Sequence, residues 1–384
     1  MDFELSDDQK LLVKTVEDFC KKQSPVERVR ELREVERGWE EAKWQQMGEL
    51  GWLGVLFSED EGGLGGTFVD AGLIIEQLGK TLVMEPYLAS VVLGGIAVRE
   101  AGNSSQKQEL LGPMIEGTSS LALAFTEENS RHNPFCIETK AEKSGADYKL
   151  SGNKRWVLNG QAADHLIVSA RTSGEQGSEA GVSLFAVPKD AKGLSIQNVK
   201  CMDSHRAAMV SLDGVTVSAD GLLGDEGAAG PALAKTLDLG AAACCAEGSG
   251  IMDAVLAMTR EYLVEREQFG AKIGSFQALQ HRCVDMFVEV QLMKSAAIQA
   301  MIKADDDDAQ ERMRAISATK AQLSNGGGYV VRQGTQLHGG IGVTDEHNIG
   351  LYFKRMTILS TLCGDEEYHT QRFAQLPSFV EHVA

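Results

Sequence analysis

The sequence has no Cys-x-x-Cys pair, no long apolar run, no excess of basic charge, no internal repeat and no low-complexity linker. Each absence excludes something. The seven cysteines (Cys20, Cys136, Cys201, Cys244, Cys245, Cys283 and Cys363) lack the spacing of a zinc site or a redox dithiol, so neither is expected. Their odd number and irregular placement fit a reducing compartment, which points to the cytoplasm. No stretch of about 18 apolar residues occurs, so no membrane-spanning helix is expected. The first residues, Met1 to Leu5, are acidic and amphipathic, without a basic n-region or an apolar core, and no signal peptide is expected. Acidic residues outnumber basic ones 55 to 37, giving a net charge of −18. Such a field repels nucleic acid and anionic lipid, so neither is expected as a partner. An anionic small molecule remains possible wherever local arginines dominate a pocket.

The chain does have size and order. Its 384 residues suffice for two or three domains, and 43% apolar with 24% charged residues is ordinary for a globular protein. Residues 1–118 read as helical. Ser6-Asp7-Asp8-Gln9 resembles a helix cap, and Leu11, Leu12, Val16 and Phe19 recur at helical spacing. Trp44, Met47, Leu50 and Leu53 form a second stripe, further helices are expected from Ala71 and over Leu82–Glu100, and Pro113 falls in a short connection. Residues 119–228 carry short strand-like runs: Leu121–Phe125, Tyr148–Leu150, Arg155–Leu158, His165–Ala170, Val182–Val187, Leu194–Val199 and Ala208–Leu212. Ser151-Gly152-Asn153 and Leu212-Asp213-Gly214 read as turns between them, and a β-barrel or sandwich is expected. Residues 229–384 return to helix over Ala232–Leu263, Gln277–Ala304, Ala309–Tyr329 and Val330–Gln336. The run Asp305 to Asp308 reads as a solvated turn that starts the next helix.

Two segments carry chemistry. Arg266-Glu267-Gln268-Phe269-Gly270 sets a permanent cation and an aromatic ring beside a helix end. Gln336-Leu337-His338-Gly339-Gly340-Ile341-Gly342 is a glycine-rich turn whose backbone amides lie open to a phosphate. Together they suggest a phosphate-bearing cofactor held between two helical segments.

These motifs, in this order, resemble the acyl-CoA dehydrogenase family over essentially the whole chain. Glu49 to Gly54 and Gly62 to Gly66 resemble its N-terminal domain, Thr126-Glu127 its T-E loop, and Trp156-Val157-Leu158-Asn159-Gly160 its W-x-x-N-(A/G) strand. Arg266 to Gly270 with Ile273, Phe276 and Gln277 matches R-x-Q-F-G-x-x-I-x-x-F-Q, and Gln336 to Gly342 matches Q-x-x-G-G-x-G. The resemblance implies an α+β, mostly α, fold. Its parts would be an N-terminal helical domain (1–118), a middle β-barrel domain (119–228) and a C-terminal helical bundle (229–384). It also implies FAD bound across a dimer interface, removal of an α-proton and a β-hydride from an acyl-CoA to leave a 2,3-enoyl-CoA, and electron transfer to an electron-transfer flavoprotein. By this resemblance Arg266 pairs with the FAD pyrophosphate. Phe269 and Ile273 lie on the cofactor, Gln336, Gly339 and Gly340 meet its ADP portion, and Thr126 and Trp156 flank the flavin. His338 is read as structural rather than as a base. Leu158 stands where many members have Thr or Ser, which removes one hydroxyl from the flavin site. The loop from Glu128 to Pro134 departs from the family pattern, and Arg131 is the candidate there for a substrate contact.

The base is open at this stage. Many members carry it as the glutamate of a Y-E-G-T segment, where this chain has Leu362-Cys363-Gly364-Asp365-Glu366. Counting from Arg355 puts Gly364 at that position; counting back from Arg372 puts Asp365 there. Glu247, alone among Ala241 to Ala246 and Gly248 to Gly250, is the other candidate, since a carboxylate in such apolar company is expensive to bury without a task or a partner. A third possibility is that the chain has no base and is one subunit of a two-gene heteromeric dehydrogenase, whose smaller subunits begin with a similar short Met-Asp-Phe segment. The assembly is therefore expected to be a homodimer or homotetramer, or a heterotetramer. Ala241, Ala242 and Ala243 hint at room for a bulky acyl group, although small residues also allow close helix packing.

Overall fold

The apolar runs of the middle region join one eight-stranded sheet in a computed structural model that describes residues 4–377. The strands are β1 (Leu121–Ala124), β2 (Lys140–Ser144), β3 (Asp147–Leu158), β4 (His165–Arg171), β5 (Val182–Pro188), β6 (Leu194–Lys200), β7 (Arg206–Val217) and β8 (Leu222–Leu223). Their order is β6-β7-β3-β2-β4-β5-β8, with β1 pairing β4 in parallel. Inward residues of these strands, among them Leu150, Val157, Leu166, Val168, Phe185, Val210 and Val215, form one apolar core. An N-terminal helical region precedes this β domain and a helical part follows it.

Two features read as turns are irregularities inside strands. Tyr148–Leu150 and Arg155–Leu158 belong to the single strand β3, and Gly152 marks a register shift where a Cβ would strike Cα of Thr139 at 2.6 Å. Asp213 and Gly214 likewise lie within β7. Glycine and polar residues at a bulge carry the same local signal as a hairpin turn, and only cross-strand pairing separates the two.

Contact clustering divides the chain into two units, each discontinuous in sequence. One comprises Leu32–Thr67 and Met84–Gly240 and contains the sheet. Here Pro113 lies inside the helix Ser104–Ile115, not in a connection. The expected Leu82–Glu100 helix starts only at Tyr87, because Leu82 is left-handed (φ 54°) and Pro86 precedes the helical turn.

The other unit comprises Met1–Glu31, Phe68–Val83 and Ala241–Ala384. Its first helix, Asp7–Gln23, starts at the expected cap: Ser6 Oγ accepts from the Gln9 amide, and the Gln9 side chain accepts from the Ser6 amide. The aspartate run caps as predicted, with Asp308 accepting from the Gln310 and Glu311 amides at the start of Ala309–Gln322. Asp305 does more than face solvent, since its carboxylate accepts from the Phe68 amide at 2.6 Å. The helix expected over Ala309–Tyr329 widens to a π turn at Leu323–Gly327 before Gly328–His338. The long helix Gly230–Glu265 is apolar and long enough to cross a membrane by composition, but 78% of its most apolar window is buried within the chain, as in a core helix.

Candidate functional site

The two phosphate-site segments lie in the same unit. Arg266 directly follows the Gly230–Glu265 helix, its amide donating to the Tyr262 carbonyl at 2.9 Å. A two-residue hairpin follows, between β9 (Glu267–Gln268) and β10 (Ala271–Lys272), with Phe269 and Gly270 at its tip. Both tip residues are left-handed, at φ 56° and 76°, the geometry that a two-residue hairpin favours. Phe269 adopts it against its own Cβ, and its ring is 92% exposed, set edge-on to Phe276. Ile273 is buried, and its amide closes the hairpin onto the Arg266 carbonyl at 2.8 Å. Lys272 takes up Glu267 at 2.8 Å. The exposed guanidinium of Arg266 has no acidic partner among the described residues.

At the other segment, Gln336, Gly339 and Gly340 are exposed. Gly339 has φ 64° and ψ −142°, a conformation confined to glycine, and a Cβ on Gly340 would meet nothing within 4 Å. Gly342 is packed underneath, where a Cβ would lie 2.5 Å from the Thr335 carbonyl and 3.1 Å from Cβ of His338. An open backbone turn, a free cation and an exposed ring fit a phosphate-bearing, aromatic cofactor such as FAD.

In the sheet unit, the Arg155 amide donates to the Thr126 carbonyl at 2.8 Å, so Thr126 lies beside the strand that carries Trp156. Trp156 sits where β3 slips register against β7; it is left-handed (φ 54°) and 54% exposed. Strain with an exposed indole marks a position kept for something other than the sheet core. Lys154 points inward, is fully buried, and donates to Glu127 at 2.6 Å and to Ser169 at 3.0 Å. Glu127 also accepts from the Glu138 and Thr139 amides, which fixes the T-E loop. Burial pushes the Lys154 ammonium down to about 8. Burial opposes ionisation of Glu127, but the charge and hydrogen bond of Lys154, with the hydrogen bonds from Thr139 and Glu138, outweigh it and hold the carboxyl below its usual range. Arg131 is exposed and left-handed (φ 45°) on the following loop, and Leu158 is half-buried.

Glu247, Gly364 and Asp365 all lie in the same unit as Arg266 and the Gly339 turn. Glu247 is 9% exposed and receives a two-pronged contact from Arg355: Nε donates to Oε1 at 2.6 Å and Nη2 to Oε2 at 2.9 Å. Its backbone abuts the Phe68–Lys80 helix, where a Cβ on Gly79 would lie 2.5 Å from the Glu247 carbonyl. Asp365 caps the helix Glu366–Ala374, accepting from the Tyr368 amide at 2.9 Å. Gly364 has φ 111°, and a Cβ there would strike Cδ1 of Tyr368 and lie 2.6 Å from Nε2 of His369. A side chain at that position would have to displace Tyr368 and His369 and would strain the backbone.

Three residues outside the recognised motifs shape this region: Arg355, Lys320 and His369. Lys320 is fully buried and donates to the Leu359 and Gly364 carbonyls, both at 2.8 Å. Nε2 of His369 lies 2.9 Å from the Cys363 carbonyl. The helix Ala309–Gln322 carries Glu311, Arg312 and Arg314 as well, so nothing local in the sequence singled out Lys320 for this task. Ala241, Ala242 and Ala243 are fully enclosed by the chain, and Gly79 and Gly250 serve close backbone approach between helices. The small residues thus act in packing. A cleft of about 470 Å³ at Asp365, Glu366, Glu367, Thr370 and Gln371 is acidic and unsuited to the phosphates of coenzyme A.

Comparison with known proteins matches this arrangement. Three profiles match in succession: acyl-CoA dehydrogenase N-terminal domain over 6–118, middle domain over 122–215 and C-terminal domain over 230–376. The probable acyl-CoA dehydrogenase YngJ of Bacillus subtilis (strain 168) is 32% identical over 356 residues, covering 91% of this chain and 92% of that protein. Butyryl-CoA dehydrogenase from Megasphaera elsdenii superposes with a TM-score of 0.89 at 26% identity, covering 97% of this chain and 99% of that one. A variant of the Tcur3481–Tcur3483 steroid ACAD superposes with a TM-score of 0.87 at 29% identity, covering 98% and 99%.

Proposed function

The chain belongs to the acyl-CoA dehydrogenase family, and from that premise we propose that it oxidises an acyl-CoA with Glu247 as the base. Family membership implies FAD-dependent dehydrogenation of an acyl-CoA thioester. When bound, the flavin supplies the acceptor for the β-hydride. Glu247 takes the α-proton, and the product is the 2,3-enoyl-CoA. Arg266 offers forked donors to the pyrophosphate. The amides of the Gly339–Gly340 turn, with Gln336, receive the ADP portion. Phe269 covers the cofactor, and Ile273 holds its hairpin closed. Thr126 and Trp156 border the flavin, and Arg131 meets the coenzyme A side of the substrate. Electrons leave to an electron-transfer flavoprotein, as they do in other family members.

The observation that carries the assignment of the base is the state of the three rival positions. Gly364 offers no side chain to act as a base, and Asp365 is engaged as a helix cap. Glu247 is a buried carboxylate held by two hydrogen bonds from Arg355, and a carboxylate is the kind of group that proton abstraction needs. The test is Glu247→Gln. Flavin content should be unchanged, while acyl-CoA-dependent reduction of an artificial acceptor falls by about 10²–10⁴-fold. Full activity in that variant removes Glu247 from the mechanism.

One observation favours a second reading, a subunit of a heteromeric enzyme. Val284, Phe287, Val288, Leu292 and Ile298 on the helix Gln277–Ala304 are 39–57% exposed. Such a stripe is built to be covered by another chain, identical or related. The Tcur3481–Tcur3483 enzyme, whose name joins two components, is one of the similar structures. Native mass spectrometry with activity measurement decides between them. An active homo-oligomer of this chain alone eliminates the heteromeric reading; activity only on co-expression with a related chain establishes it.

A further inference from the structure

The residue just before the glycine turn is more than filler. His338 ends the helix Gly328–His338 and is 1% exposed. Its Nδ1 lies 2.7 Å from the Gly334 carbonyl, so that nitrogen carries the proton and donates. Its ring stacks on Tyr262 with centroids 4.6 Å apart and an interplanar angle of 30°. On another side the ring of His347 lies 4.5 Å away. His347 is fixed in the opposite tautomer, since its Nδ1 accepts from the Ile349 amide at 3.1 Å.

The stack connects the two cofactor segments. Tyr262 occupies the last turn of the helix that leads into Arg266, and its carbonyl holds the Arg266 amide. His338 leads into Gly339, and its Cβ supports Gly342 from below. We propose that His338 is the positioning residue of the FAD site, splinting the Arg266 segment to the Gly339–Gly342 turn so that both face the pyrophosphate in a fixed relation. This proposal rests on the assignment of FAD to those two segments.

The splint works with a neutral ring. Nε2 of His338 is buried and has no hydrogen-bond partner among the described residues, so a proton placed there would be a buried donor without an acceptor. The groups facing the two imidazoles are Tyr262, His347 and, beside His347, Arg30; none is an acid. Of the nearby acids, Glu27 accepts from Asn348, Asp345 lies against Lys354, and Glu346 is exposed beside His347. Burial pushes His338 below its ordinary value, and the charge of His347 would push it further. The unfolded chain therefore takes up a proton near pH 6.5 while the buried ring does not, and the ordered turn loses stability as pH falls below that point.

The experiment is titration of FAD into apoprotein, followed by flavin fluorescence at about pH 7.5 and about pH 5.5. Wild type, His338→Ala and His338→Phe are compared. His338→Ala removes the stack and should bind FAD about tenfold more weakly at the higher pH. His338→Phe keeps an aromatic ring that cannot titrate; it should bind within about threefold of wild type at the higher pH and lose most of the wild-type weakening at the lower one. It carries the test should the alanine variant unfold. Equal affinity in a natively folded His338→Ala, or an unchanged pH profile in His338→Phe, overturns the proposal while leaving FAD binding intact. A wild type that takes up no FAD at either pH overturns the cofactor assignment and the splint with it.

Discussion

Replacing Arg355 by methionine isolates the one strong interaction of the candidate base. Arg355 and Glu247 keep only 7% and 11% of their side-chain surface accessible, and two hydrogen bonds of 2.6 and 2.9 Å join them. At such depth solvent screens little of the attraction, and removing the cation leaves a carboxylate in apolar surroundings with no counter-charge. Breaking a buried pair from one side costs about 3–5 kcal/mol. At roughly 2–4 °C per kcal/mol for a unit of this size, the melting temperature should drop by about 6–20 °C. Glu247→Leu alone should also destabilise, since it removes the buried carboxylate that Arg355 grips with two hydrogen bonds. The double variant, Glu247→Leu with Arg355→Met, strands neither charge and should recover at least about 2 kcal/mol relative to the sum of the singles. The four proteins are to be melted at equal flavin loading, with urea unfolding as a second measure. A single-variant loss below about 1 kcal/mol, or strict additivity, would mean that the pair is not the buried unit described here.

Three further outcomes follow from the geometry. Gly79→Ala pushes a methyl into the Glu247 carbonyl at 2.5 Å and toward its Cγ at 3.1 Å, so it should destabilise by about 1–3 kcal/mol and reduce turnover, as read by melting and steady-state assay. Gly364→Ala adds both the clash with Tyr368 and His369 and an unfavourable positive φ, and should cost roughly 2–5 kcal/mol in urea unfolding; Gly364→Glu in the Glu247→Gln background should restore no turnover. In the sheet, the depressed Glu127 carboxyl stabilises at neutral pH, and this contribution is lost as pH falls from about 4.5 through its lowered value. Glu127→Gln should flatten that acid limb when hydrogen exchange of Glu138 and Thr139 is followed against pH, and an unchanged limb would show that Glu127 is not the group responsible.

What could be read in the sequence was whatever local chemistry specifies. Ser6 with Gln9 forms a cap from four residues, and Asp308 does the same. Arg266 beside Phe269 and the glycines of Gly339–Gly342 stand out by residue type and spacing, so both cofactor segments were visible in the sequence, whereas the left-handed turn at Phe269 was not. Long-range pairing was not visible. Glu247 and Arg355 are 108 positions apart, and Lys320 reaches Gly364 across 44. No periodicity encodes which buried charge meets which. The same limit explains Ser151-Gly152-Asn153, whose turn-like composition serves a bulge because β7 and Thr139 lie alongside. It also explains Ala241 to Ala243, where small size fits an open pocket or a close helix crossing equally well until the crossing is seen.

A difference in satisfaction separates the cofactor residues from the base. Arg266 is exposed without an acidic partner among the described residues, Phe269 shows 92% of its surface, and Trp156 is strained and 54% exposed. Groups left so are complete only when a ligand or another chain covers them, and a ligand that does so gains contacts at little reorganisation cost. Glu247 is the reverse, complete within its own chain. Every proton it accepts weakens its contact with Arg355, so the ion pair acts as a brake on proton abstraction unless substrate binding shifts the guanidinium. If substrate does shift it, Arg355→Lys, which keeps the charge but loses the fork, should raise KM and spare kcat relative to Arg355→Met. If both variants lose kcat alike with KM unchanged, the fork itself is part of the transition state, and the pair is a catalytic unit instead of a brake.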